Sequence, residues 1–165
     1  MCLRCWMPWQ ASRSGSAAVS ASRTASALHG SGDALVGQQT RAHADLDLAI
    51  AAPDCVRAQA ALAPLGDRHD PTIMPGLPAR LVLRTPASRQ VDVHPIAFDD
   101  DAWQDLGDGS RDGYPADGLA GRRHIAGREV RCLIAAMQWR HHLGYPSEND
   151  DRHDLDLLAH ITPRG

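Results

Sequence analysis

Between residues 44 and 50 polar and apolar positions alternate, with Asp45, Asp47 and Ala49 on one side of an extended chain and Leu46, Leu48 and Ile50 on the other. A period of two is the pattern of a half-buried strand, and it puts both carboxylates on one face. Downstream come Pro53 at a first helical turn, the apolar series Val56, Ala60, Leu62 and Leu65, and a terminating Gly66. Together they predict a helix of about three turns that covers one side of a sheet. Residues 80–85 and 90–94 form two more β-like runs around Pro86-Ala87-Ser88-Arg89, the spacing of a hairpin with a short loop. In the second run Gln90, Asp92 and His94 share a face, opposite Val91 and Val93.

The flanking segments pattern differently. Residues 1–28 mix Ser, Ala and Arg without a sustained period and read as a poorly ordered segment ahead of one domain spanning 29–165. Gly30-Ser31-Gly32 then predicts a turn, and Ala34-Leu35-Val36 a short helix that Gly37 closes. Residues 99–121 are rich in Asp and Gly and predict a long surface loop. In it, Trp103 and Tyr114 are candidates to stack on a substrate ring, and Asp99, Asp100, Asp101, Asp105 and Asp108 to attract a polycation. Apolar residues at helical intervals in 132–142 and 152–161, parted by Gly144-Tyr145-Pro146, predict two closing helices. Strands and helices thus mix in an α/β (α+β) arrangement with no internal repeat.

Composition narrows the function. A chain of 165 residues is one domain's worth, and its formal charge of -3 is not gathered into a basic stripe, which argues against a nucleic-acid polymer as partner. Among four cysteines only Cys2 and Cys5 lie close together, as C-x-x-C without a preceding strand, which supports neither a zinc site nor a redox motif. No apolar run approaches membrane-spanning length and no secretory leader is visible, so a soluble cytoplasmic protein is expected.

The chemistry rests on carboxylates. An Asp-x-Asp pair on one strand, joined by a third Asp from a neighbouring strand, gathers hard oxygens of the kind that hold Mg²⁺ in phosphate chemistry. Asp45, Asp47 and Asp92 have that arrangement; a lone Asp-x-Asp would more simply describe a solvated strand face. Two Mg²⁺ ions there would activate an acceptor oxygen and stabilise departing pyrophosphate, with Asp92, or a water it holds, taking the acceptor's proton. The Gly30-Ser31 turn is placed to hold outer phosphates, and Arg41 and His43 either contact a triphosphate or hold their loop.

The segments Gly30-Ser31, Thr40-Arg41-Ala42-His43-Ala44-Asp45-Leu46-Asp47 and Val91-Asp92-Val93-His94-Pro95 resemble the aminoglycoside and lincosamide nucleotidyltransferases, in particular the aminoglycoside 2''-adenylyltransferase-like group. The likeness continues through Tyr114-Pro115, Gly127, Val130-Arg131-Cys132 and Asp151-Arg152-His153-Asp154. It implies a small mixed β-sheet flanked by helices with a helical C-terminal part. It also implies transfer of a nucleoside monophosphate from a magnesium-bound NTP, ATP first among them, to a hydroxyl of an antibiotic. The implied metal ligands are Asp45, Asp47 and Asp92, with phosphate contact near Gly30 and Ser31.

The chain departs from that pattern at His29-Gly30-Ser31-Gly32-Asp33, one residue short of the family's turn, at Gln38 where an arginine is expected, and at Ala135 or Ala136 where an acidic residue is usual. These departures keep open a non-catalytic relative that at most binds nucleotide. A third reading is a metal-dependent phosphohydrolase built on His141, His142, His153 and Asp154, although capping or ion-pairing roles, such as Arg152 with Asp154, suit those residues better.

Overall fold

The alternation around the Asp pair builds the central strand of the molecule. The computed structural model describes residues 27–29, 37–73, 76–98, 102–115, 117–125, 127–143, 146 and 149–161. In chain order these contain β1 (Ala27–His29), β2 (Asp45–Ala51), α1 (Cys55–Leu62), β3 (Arg68–His69), β4 (Leu81–Arg84), β5 (Gln90–Phe98) and β6 (Ala102–Asp105). There follow β7 (Arg111–Tyr114), β8 (Gly121–Ile125), β9 (Arg128–Cys132), α2 (Ala135–His141) and α3 (Asn149–Ile161).

The strands join in one mixed sheet of order β3-β4-β5-β2-β1-β9-β8, with β6 pairing β5 and β7 pairing β6. β2 and β5 run parallel in the middle, in a register that sets Asp47 beside Asp92 and Asp45 beside Gln90. β4 pairs antiparallel with β5, so the expected hairpin forms. Its turn is closed by the Thr85 N–H donating to the Arg89 carbonyl at 3.0 Å. β1 lies between β2 and β9, antiparallel to the first and parallel to the second. Ala27 and Leu28, within the segment read as irregular, therefore sit in the sheet.

On the face opposite the carboxylates, Ile50, Leu81, Leu83, Val91 and Val93 pack with Cys55 and Leu62 of α1. Each such side chain contributes about 1.5–3 kcal/mol when fully buried. The helix develops as its punctuation predicts, from a 3₁₀ turn at Ala52–Asp54 to a left-handed Gly66 with φ +91°. Its buried edge differs: Cys55 and Leu62 face the sheet, while Val56 is 78% exposed. Cys55, Ala58 and Leu62 fall on one helical stripe, and Val56 belongs to the next one round.

The carboxylate face divides along its length. Beyond Asp47 it continues into Ala49, and beyond His94 into Ile96, and these apolar positions pack with Ala102, Tyr114, Leu119, Leu133 and Met137. α2 thus covers the apolar half. The Asp- and Gly-rich stretch that reads as a loop is instead the antiparallel β6–β7 hairpin, added to the edge of β5 beyond β4. Asp105 and Asp108 serve its turn, accepting from the backbone N–H of Gly107 and Ser110 respectively, each at 2.8 Å.

The helical spacing read from Cys132 also needs correction. Cys132 ends β9, paired with Gly121, and the helix starts only at Ala135. The β8–β9 hairpin is rich in Arg and nearly without apolar alternation, so an edge ribbon of this kind leaves little strand signal. The last helix starts earlier than expected, at Asn149, with Asp150 and Asp151 in its first turn, where carboxylates oppose the helix dipole favourably. Among the described residues no helix is long and apolar enough to cross a membrane.

Candidate functional site

Strand pairing brings Asp45, Asp47 and Asp92 together at the other end of the face, as their spacing predicts. Their surroundings are unequal. Asp92 is only 3% exposed; it faces the Arg80 guanidinium at 3.4 Å and accepts from Gln90 Nε2 at 2.8 Å. Asp47 is half-buried, with His94 Nε2 3.0 Å from its Oδ1. Asp45 is exposed and lies 3.4 Å from Gln90 Nε2. Partial burial, followed by repulsion from Asp47 and then Asp92, raises the Asp45 carboxyl above the ordinary carboxylate range.

That repulsion tests whether a cation fits. Arg80 meets Asp92, while Asp45 and Asp47 add further negative charge on hard oxygens, the donor chemistry of Mg²⁺. Among the described residues no three His, Cys, Asp or Glu side chains close into a cage. An open set suits Mg²⁺, which is ordinarily held by one or two carboxylates with waters and substrate phosphates completing its shell. The three carboxylates are of the donor type that Mg²⁺ takes.

Gly30 and Ser31, together with the short helix expected at residues 34–36, lie outside the described residues. Arg41 and His43 are on the segment leading into β2, where their charge acts on Asp45 in the lowering direction, against the larger raising causes. The Arg41 side chain is committed elsewhere. Its Nε and NH2 donate to the two oxygens of the buried Asp154, at 3.2 and 2.7 Å, and NH1 reaches Asp150 at 3.2 Å. Beside it Thr40 Oγ1 meets His153 Nε2 at 2.9 Å, so α3 holds the approach to the site. Asp154 therefore pairs with Arg41 rather than with Arg152.

The histidines do not assemble a second centre. His142 bonds Asp151 at 3.0 Å, joining α2 to α3, while His141 packs on the Tyr114 ring at 5.5 Å. His153 is engaged by Thr40, and the cluster a phosphohydrolase would need is absent among the described residues. Tyr114, read from sequence as a substrate-stacking ring, is buried in the core, and Trp103 carries the Arg111 guanidinium 3.7 Å above its ring. Neither Arg80 nor Gln104 is legible as a site residue: the expected 80–94 hairpin does not by itself aim Arg80 at Asp92, and Gln104 comes from a stretch that reads as a loop, whose pairing with β5 is decided only in three dimensions.

His141 gives a pH-dependent stability. Burial drives its imidazole down from the ordinary 6.5 to about 4; Asp112 opposes this, while Arg140, His94 and His142 reinforce it. The unfolded chain then binds a proton between those values that the folded chain refuses. Stability should fall as pH drops from 6.5 towards 4 and flatten below, by about 1–2 kcal/mol after allowance for partial solvent screening. Urea melts across that range should lose this slope in His141→Gln, and an unchanged slope would assign it to another group.

Comparison with known proteins adds independent findings. The family model described as aminoglycoside-2''-adenylyltransferase matches residues 17–158. A lincosamide resistance protein of Staphylococcus haemolyticus is 26% identical over 132 residues, covering 79% of this chain and 80% of its own. The crystal structure of the lincosamide antibiotic adenylyltransferase LnuA, bound to lincomycin, is similar with a TM-score of 0.71 and 25% identity over 83% of this chain and 87% of that one. ANT(2'')-Ia in complex with adenylyl-2''-tobramycin shares the fold, with a TM-score of 0.56 and 21% identity over 84% of this chain and 87% of that one.

Proposed function

The chain belongs to the aminoglycoside-2''-adenylyltransferase family, and from that membership we propose that it transfers the adenylyl group of ATP to a hydroxyl of a lincosamide- or aminoglycoside-like antibiotic. The observation that carries this reading is the register of β2 on β5, which sets Asp47 beside Asp92 on one face of the sheet.

The acceptor oxygen attacks the α-phosphorus, the bond from that phosphorus to the bridging oxygen of pyrophosphate breaks, and the hydroxyl proton passes to Asp92. Asp45, Asp47 and Asp92 would hold Mg²⁺, which would supply charge neutralisation for the triphosphate. Gln90, two residues earlier on β5, and Arg80, just ahead of β4, hold Asp92 in place. Arg41, tied to α3, orders the segment that carries His43 past the site, and Gly30 and Ser31 serve the outer phosphates. Of the two acceptor classes the lincosamide is the first to test, because the lincomycin-bound relative has the greater identity and the higher TM-score.

The test is pyrophosphate release from each NTP with Mg²⁺ against lincosamides and aminoglycosides, with mass analysis of the acceptor. A gain of one nucleoside monophosphate by the drug, dependent on ATP, is the expected result. Silence from folded, nucleotide-binding protein across both classes would instead identify the non-catalytic relative that the shortened turn and Gln38 suggest.

A further inference from the structure

Behind Asp47 runs a line of hydrogen bonds that the reaction scheme does not use. His94 Nε2 lies 3.0 Å from Asp47 Oδ1, and its other ring nitrogen, Nδ1, lies 3.2 Å from Gln104 Nε2. The same Gln104 nitrogen donates to the Ala79 carbonyl at 2.9 Å, while Gln104 Oε1 accepts from the Tyr114 hydroxyl at 3.1 Å. Gln104 is 7% exposed and Tyr114 2%.

Each link fixes the next. A backbone carbonyl can only accept, so the amide must turn its NH₂ towards Ala79, and the same NH₂ then presents its second hydrogen to His94 Nδ1. Nδ1 must accept, which leaves the imidazole proton on Nε2, aimed at Asp47. The hydroxyl of Tyr114 completes the lock by donating to the remaining amide oxygen. An acceptor-only carboxylate thereby gains one directed donor, which holds its orientation.

We propose that Gln104, locked by the Ala79 carbonyl and the Tyr114 hydroxyl, is a positioning residue that sets the His94 tautomer and so orients Asp47 towards a divalent cation. The part concerning the cation rests on the proposed role of Asp47. The β6–β7 hairpin, which contributes both Gln104 and Tyr114, then has a functional reason to be joined to the edge of β5: it supports the carboxylate from behind. Partners of this kind behind a metal ligand change metal affinity by about 10–100-fold when removed.

The experiment uses the intact protein and two readouts that need no turnover. Long-range ¹H–¹⁵N correlation of the imidazoles, with His94 assigned by its loss in His94→Asn, reports which ring nitrogen carries the proton. Mn²⁺ titration followed by electron paramagnetic resonance reports cation affinity. The wild type should show His94 protonated at Nε2 and not at Nδ1. Gln104→Glu, nearly isosteric, places an acceptor against Nδ1 and should put a proton there; Gln104→Met should weaken Mn²⁺ binding about tenfold. A His94 protonated at Nδ1 in the wild type overturns the proposal, as does Mn²⁺ binding unchanged in folded Gln104→Met. If that variant does not fold, Gln104→Glu decides on the ring nitrogen alone. Loss of Mn²⁺ binding in wild type with the expected tautomer would count against the cation role of Asp47, and absent antibiotic transfer against the proposed reaction, each separable from the tautomer result.

Discussion

Asp47→Asn should lower acceptor-dependent pyrophosphate release by about a thousandfold or more, the order of effect seen when a transition-state charge loses its electrostatic partner. The substitution keeps the shape of the side chain and leaves an oxygen to accept from His94 Nε2, which now stands 3.0 Å from Asp47 Oδ1. What it removes is the charge. Repulsion from Asp47 is among the causes raising the Asp45 carboxyl, so the folded state should be no less stable than wild type, and thermal melts should show it intact. Steady-state kinetics on a matched acceptor gives the answer; activity within tenfold of wild type would remove Asp47 from the catalytic set.

Arg41→Met should destabilise the fold by about 3–5 kcal/mol, because it strands the Asp154 carboxylate, whose side chain is fully buried. The two groups form a forked pair, with Nε and NH2 each reaching a different carboxylate oxygen. Removing both charges together behaves differently. In Arg41→Met with Asp154→Leu the orphaned carboxylate is gone, and most of the loss should be recovered, since apolar replacement of a buried pair is often neutral. Denaturant melts of the single and double variants measure the coupling between them. The double variant also divides the two roles sequence allows for Arg41: an unchanged KM for ATP makes it a brace, and a KM raised tenfold makes it a triphosphate contact.

Much of the carboxylate site was readable from residue order alone. Period-two alternation in β2 and β5 is a local property of the chain, because side chains on an extended backbone must alternate faces. It therefore gave the shared face of Asp45 and Asp47 and that of Gln90, Asp92 and His94 correctly. The helix ending at Gly66 was equally local, since proline and glycine act on their own backbone angles. Where the chain departs from such rules the reading failed. Tyr114 reads as an exposed aromatic in an acidic loop because Asp and Gly suppress the strand signal, yet β6 forms by pairing onto the edge of β5 and β7 by pairing onto β6, which supply the missing hydrogen bonds.

The sequence by itself determined the faces of β2 and β5, the end of α1 near Gly66 and the family likeness carried by its Asp-rich segments. Each depends on residues close together in the chain or on an order of motifs. Tertiary structure alone decided that β2 and β5 lie side by side in a register opposing Asp47 and Asp92, that Arg41 is held by Asp154, and that Gln104 reaches His94. These relations join residues far apart in the chain. No local pattern encodes them, because the partner of a strand edge or a buried charge is chosen by what the whole fold leaves available to satisfy it.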